Sequence, residues 1–163
     1  MKYTISAKYN RDLIKDATWH FWKRTCGKET LLCLVLIIIA LYMWFVIKSN
    51  SWITATFLAL SIICLFILVT IYFVYKNRSL KIFKQMESPD AEWHFGDTSF
   101  SVKSDIGKGE YRWSAIIKLW RFNNVWLLFY ANEAYSTLPV DSMSNEIMEF
   151  IRKKIESSCG KII

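Results

Sequence analysis

Proline and glycine are scarce in this chain, with 2 Pro and 5 Gly among 163 residues. So few breakers exclude a loop-rich or low-complexity protein and leave room for long uninterrupted elements. Charge is missing more selectively: no side chain is charged from Thr30 to Ile47, and none from Ser49 to Tyr75. Cysteine occurs only as Cys26, Cys33, Cys64 and Cys159, with no C-x-x-C pair. That spacing excludes a disulfide framework and a cysteine zinc site. His20 and His94 stand apart from any Cys or carboxylate cluster with ligand spacing, so no metal is expected. "SDIGKG", Ser104 to Gly109, lacks the G-x-x-x-x-G-K-[ST] spacing of a phosphate cradle and reads as a turn. No nucleophile motif and no paired acid–base set stands out. Neither an enzyme nor a cofactor is expected.

What the chain has in excess is apolar surface: 53% hydrophobic residues, 17% aromatic, and 8 Trp. The two uncharged runs exceed the roughly 18 residues that mark a spanning-helix candidate. The first span is expected over Leu31–Ile47 and the second over Trp52–Tyr75, joined by the turn "KSNS", Lys48 to Ser51. About 17 residues at 1.5 Å each give about 26 Å, close to a hydrocarbon core of about 30 Å. Neither span contains Asp, Glu, Lys, Arg or His, the usual marks of an ion pathway. Thr54, Thr56, Ser61 and Thr70 are expected to serve helix packing, and Cys33 and Cys64 to act as small apolar filler that could touch across the helices. The formal charge of +7 (21 Lys and Arg against 14 Asp and Glu) is concentrated before the first span and after the second, with only Lys48 between them. Positive flanks stay on the cytoplasmic side, so both termini are expected inside and nucleic acid is not needed to explain the charge. Trp19, Trp22, Lys23, Arg24, Trp52, Tyr75, Lys76 and Arg78 are the expected membrane-interface residues. The long basic leader is unlike a cleaved signal peptide, so the anchor is expected to be retained.

Outside the spans the periodicity changes. "MKYTISAKY", Met1 to Tyr9, alternates as a short strand, and Asn10 can cap a helix over Arg11–Cys26 in which Leu13, Ile14, Ala17 and Phe21 recur at helical spacing. A basic helical connector follows the second span and ends at Ser88-Pro89-Asp90. From Ala91 the period is two: Trp93 and Phe95, a turn at Gly96–Thr98, Phe100 and Val102, a turn at Ser104–Gly109, then a strand ending at Tyr111 and Trp113. "IIKLWRFNNVWLLFY", Ile116 to Tyr130, reads as a hairpin whose Asn123-Asn124 turn can accept positive φ. A strand over Tyr135–Leu138 and a helix over Met143–Ser157, capped by Asp141, Ser142 or Ser144, complete the chain. Ile147, Ile151 and Ile155 mark the buried stripe of that helix, and Glu149 and Lys153 form a favourable pair on its outside. Trp113 and Ile116 are expected in the core. Trp120, Phe122, Trp126, Leu128 and Tyr130 put large apolar groups on the hairpin, and are the candidate contacts for a protein or lipid partner unless the chain covers them itself.

Two adjacent spans, "W-S-A-I" at Trp113–Ile116, the aromatic hairpin, "L-P" at Leu138-Pro139 and a closing helix together resemble the YcxB-like family of small bacterial membrane proteins. The resemblance implies a C-terminal domain similar to the bacterial pleckstrin-homology-like fold, a curled antiparallel sheet capped by a helix. The expected organisation is an α+β membrane protein. It has an N-terminal strand and basic helix (1–29), a two-helix transmembrane hairpin (30–75), a connector (76–90) and a cytoplasmic β-domain with its C-terminal helix (91–163). The expected function is a non-enzymatic binding or regulatory module held at the bacterial inner membrane. Its partners are the bilayer and another protein, with self-association allowed and no nucleic acid. The alternative is an immunity protein that neutralises a membrane-active toxin. A channel or transporter subunit, which would have to oligomerise, ranks third.

Overall fold

The computed structural model describes residues 2–48, 52–105, 107–131 and 134–163. The chain is α+β and divides into two compact units, Thr18–Arg78 on one side and Met1–Ala17 with Ser79–Ile163 on the other. The turn expected at Lys48–Ser51 lies outside the described residues except for Lys48, as do Met1 of the first strand and Ile106 of the Ser104–Gly109 turn.

The first unit is formed by the greater parts of α1 (Arg11–Phe45) and α2 (Trp52–Lys84). Both are long and apolar enough to cross a membrane. At 35 residues, α1 measures about 52 Å, well beyond a hydrocarbon core of about 30 Å. The leader helix and first span are one element, because Gly27 costs a helix only about 1 kcal/mol and nothing nearby breaks it. The connector likewise continues α2 to Lys84. Cys33, Ala40 and Ser61 are the buried residues of the apolar stretches, small side chains that let two backbones approach. The Trp22 Nε1–H donates to the Leu68 carbonyl at 3.0 Å. Thr56 and Thr70 do not serve the packing as expected. Both are exposed and donate to carbonyls four residues back, Trp52 and Phe66, which satisfies them within their own helix.

Among the described residues the second unit holds eight strands: β1 (Tyr3–Lys8), β2 (Asp90–Phe95), β3 (Ser99–Ser104), β4 (Gly107–Arg112), β5 (Ile116–Arg121), β6 (Val125–Tyr130), β7 (Tyr135–Pro139) and β8 (Lys161–Ile162). One sheet runs β1-β2-β3-β4 and the other β7-β6-β5-β8. All neighbours are antiparallel except β5 and β8. The first strand pairs along its whole length with β2, from Tyr3 opposite Phe95 to Lys8 opposite Asp90. The sequence suggests a separate N-terminal segment (1–29); cross-strand pairing places its strand in the β-unit. In the first sheet, Ile5, Trp93, Phe95 and Phe100 face the core while Thr4, Ser6, Glu92 and His94 face out, the period-two pattern of a half-covered sheet. A part-buried Tyr9 joins the two sheets: its hydroxyl donates to the Thr137 carbonyl at 2.6 Å and accepts from Trp93 Nε1.

Helix α3 (Asn145–Ser157) lays Ile147, Ile151 and Ile155 against this core, each large buried side chain worth about 1.5–3 kcal/mol. The Ser144 hydroxyl accepts from the Ile147 amide and caps it. Lys153 and Glu149 pair on its outer face at 3.2 Å, as their spacing predicts. Trp113 and Ile116 are buried, as expected, although β4 stops at Arg112 and Trp113–Ala115 forms a 3-10 turn. Among the described residues only Lys48 and Cys159 outside glycine have positive φ, so Asn123-Asn124 turn the hairpin without entering that region. Phe122 N–H donates to the Val125 carbonyl to close it.

After α3, Cys159 takes φ 63°, the left-handed position usually given to glycine, and Gly160 donates back to the Ile155 carbonyl. A Cβ on Gly160 would lie 2.6 Å from Ile155 Cγ2 and 3.0 Å from the Ile116 carbonyl oxygen. Gly160→Ala is therefore expected to destabilise the protein by about 1–3 kcal/mol, and Cys159→Gly to stabilise it by about 1 kcal/mol. Thermal unfolding of the two variants in detergent, compared with the parent, measures both signs.

Candidate binding surfaces

The structure places the aromatic hairpin inside. Trp126, Leu128 and Tyr130 alternate along β6 into the common core with Leu119 of β5. The opposite face carries Trp120, Val125, Leu127 and Phe129, and these too are buried. The Trp120 and Phe129 rings meet at 4.5 Å, and the Lys118 ammonium sits 5.6 Å from the Trp120 ring. Phe122, at the end of the hairpin, is half-buried. The alternation that suggested a spare apolar face is thus covered on both sides within the chain. Period-two patterns show that a strand has two faces; they do not show how many of them are covered.

The expected membrane-interface residues fall in two groups. Trp22 is buried, stacked on Trp19 at 5.4 Å, and both rings approach Tyr72. Tyr75 contacts Phe21, and the Lys76 ammonium lies 5.7 Å from the Tyr72 and Phe73 rings, within cation–π range. These residues form one aromatic and cationic cluster where α1 and α2 run side by side. Lys23, Arg24 and Arg78 are exposed, and Trp52, 77% exposed, stands at the other end of α2.

Polar surface is concentrated on the outer face and free edge of the first sheet. On that face the Thr4 hydroxyl and His94 Nδ1 lie 3.0 Å apart, and His94 Nε2 is 3.8 Å from a Glu92 carboxylate oxygen. Strand β4 forms one edge of the sheet, exposed along nearly its whole length, with Lys108, Glu110 and Arg112 on its outer face. The Ser99 hydroxyl donates to Glu110 at 3.0 Å. Beside it, Thr98, Ser99, Glu110, Tyr111 and Arg112 line an open cleft of about 710 Å³. At the far end of the hairpin, Asp105 accepts from the Ser88 amide at 2.6 Å, and that bond holds its carboxyl below the usual range. Asp97 is held low by Lys154, 3.1 Å away, which ties the β2–β3 turn to α3. Among the described residues no three His, Cys, Asp or Glu side chains converge as a metal site would require.

Residues 95–155 match the family model of the YcxB-like protein. The matched stretch begins at the end of β2 and closes within α3, so it lies wholly in the β-unit and bears out the family resemblance there. Comparison with curated proteins finds no match, and comparison with solved structures finds none.

Two tyrosines give the β-unit a pH dependence. Burial pushes the Tyr9 and Tyr130 hydroxyls up to about 12, against an ordinary value of 10. Tyr130 donates to the Ser136 hydroxyl at 2.8 Å. Below pH 10 both groups are neutral folded and unfolded, and stability is unaffected. Between pH 10 and 12 the unfolded chain loses these protons while the folded one keeps them, so stability falls as pH rises. The slope is about 1.4 kcal/mol per pH unit for each group. Urea unfolding between pH 9 and 12 should show this decline, and Tyr130→Phe should make it shallower.

Proposed function

We propose that the YcxB-like chain is a membrane-anchored, non-enzymatic binding or regulatory module, in which α1 and α2 cross the bilayer as a hairpin and present a pleckstrin-homology-like β-unit to the cytoplasm. The observation that carries this reading is the exposure of apolar side chains around both helices. Leu31, Ile38, Phe57 and Phe66, for example, are 63%, 65%, 61% and 71% exposed. Apolar surface on that scale is not maintained in water, whereas lipid tails solvate it.

Three further features support the arrangement. Backbone groups along both helices are bonded within the helix, as a hydrocarbon environment requires. Lysine and arginine cluster before the first apolar stretch and after the second, which favours an inside position for both ends. Pairing of β1 with β2 requires the chain to leave and re-enter the β-unit on one side, which suits an even number of crossings. A binding role rather than a chemical one is favoured by the β-unit's surface, whose open cleft and charged strand edge offer contacts but no converging reactive groups among the described residues. Anchoring would raise the local concentration of such a surface near other membrane proteins.

The chain is expected to remain in the membrane pellet after alkaline carbonate extraction. A C-terminal fluorescent-protein fusion should be bright, and a C-terminal alkaline phosphatase fusion inactive. Release by carbonate, or an active phosphatase fusion, would overturn the hairpin arrangement. Crosslinking in native membranes followed by identification of the captured proteins tests the binding role. Capture of no partner and no second copy would count against it.

A further inference from the structure

We propose that β4 is a homotypic docking edge, through which two copies of this chain join their first sheets into one continuous antiparallel sheet. The proposal rests on the membrane-module reading only in that both copies would share one bilayer. Its geometric basis is independent of that reading.

The backbone alternation of the sheet identifies which groups of β4 point outward. The Gly96 amide donates to the Ser99 carbonyl at 2.8 Å, so the backbone of Ser99 faces β2. The Tyr9 amide, bonded to the Pro89 carbonyl, fixes the same phase from the other side of β2. Because antiparallel strands alternate their bonding direction residue by residue, Phe100, Val102 and Ser104 must turn their backbones toward β4. Their partners there are Tyr111, Gly109 and Gly107. The N–H and C=O groups of Lys108, Glu110 and Arg112 are therefore directed at the free edge. These three residues are exposed.

One register makes this edge complementary to itself. If two copies pair antiparallel about a two-fold axis at Gly109, Lys108 of each copy lies opposite Glu110 of the other. Each such position is a hydrogen-bonded pair, because it joins two outward-facing backbones. The side chains of the pair share the outer face, with opposite charges directly across the strands. At the axis, the two Gly109 residues meet at a non-bonded position, where strands come closest and two glycines keep the side chains from colliding. On the other face Tyr111, 40% exposed, comes opposite Gly107, where a Cβ would meet nothing within 4 Å. A shift of two residues, centred on Glu110, would instead set Lys108 against Arg112 and the two carboxylates against each other. Charge therefore selects the register as well as permitting it.

The contact is small compared with stable soluble dimers, which bury about 1,200 Å² or more, so confinement to a common membrane would be needed for appreciable pairing. The competing view is that Lys108 and Arg112 guard the edge against pairing, a device common in natural sheets. The two views predict opposite mutant behaviour.

The test uses the full-length chain in isolated native membranes, with Cys26, Cys33, Cys64 and Cys159 replaced by serine. Copies carrying Lys108→Cys and differently tagged copies carrying Glu110→Cys are co-expressed and mildly oxidised. A mixed disulfide between the two tags is expected, in excess of that formed with a His94→Cys control on the same outer face but on the interior strand β2. In parallel, single-molecule photobleaching should show dimers of the parent. Lys108→Glu should lower the dimer fraction about tenfold by placing like charges opposite each other, and the double exchange Lys108→Glu/Glu110→Lys should restore it. The proposal is overturned if the mixed disulfide does not exceed the control, if the double exchange fails to restore dimers that Lys108→Glu has lost, or if Lys108→Ala increases association. Capture of a different protein by Lys108→Cys, with no self-pairing, would overturn it as well.

Discussion

Tyr3 to Lys8 pair residue for residue with Phe95 to Asp90, and the two long helices lie between these strands in the sequence. This pairing makes the helical hairpin an insertion into a β-unit rather than a leader in front of one. Both ends of the excursion must return to adjacent positions on one sheet, Lys8 beside Asp90. Whatever medium surrounds α1 and α2, they must therefore bring the chain back to where it left. Closing so long a loop costs entropy that grows only logarithmically with length, and helices already formed within it reduce the disorder to be lost. Strand β1 can pair only after β2 exists, so this pairing joins residues made first with residues made after both helices.

Three kinds of surface follow from the same residues. Along the helices, apolar groups point in every direction, and helix–helix contact combines a seam of small side chains with the Trp19, Trp22 and Tyr72 ring cluster and the bond from Trp22 to a carbonyl of α2. The first sheet has an aromatic core face and a polar outer face, on which Ser101 of β3 is nevertheless buried. The second sheet is covered on both sides at β6, which is why every residue from Val125 to Tyr130 is buried. That placement withdraws Trp126, Leu128 and Tyr130 from the surface. Polar contacts remain to the β-unit on the outer face and edge of the first sheet and on the outer side of α3.

How much of this was legible in the sequence depended on the kind of signal. Uncharged runs, the Ile147, Ile151 and Ile155 stripe, the Ser144 cap and the core position of Trp113 all follow from local composition or period, and the fold has them. The continuity of α1 was not legible, because the change from basic to apolar composition looked like a boundary while the backbone had no reason to stop. The partnership of β1 with β2 is a long-range pairing that no local pattern encodes. Two residues, Lys161 and Ile162, are too few to announce β8, which exists because Cys159 and Gly160 turn the chain back along β5. The aromatic hairpin was read correctly as a hairpin, but the coverage of its two faces depended on tertiary structure. The edge register of β4 was hidden for the opposite reason. "GKG", Gly107 to Gly109, looks like part of a turn until its pairing with β3 assigns Lys108 to a strand.

The pairing of β1 with β2 can be measured directly. Ser6 and Glu92 lie opposite each other on the exposed face, at a position where the strands do not exchange hydrogen bonds and side chains are closest. In full-length protein lacking its native cysteines, Ser6→Cys/Glu92→Cys should form an intramolecular disulfide on mild oxidation of native membranes. After proteolysis between the two positions, the N-terminal fragment should remain attached to the β-unit until reductant is added. Separation of the fragments without reductant, under conditions that oxidise a control pair within the β2–β3 hairpin, would contradict the account.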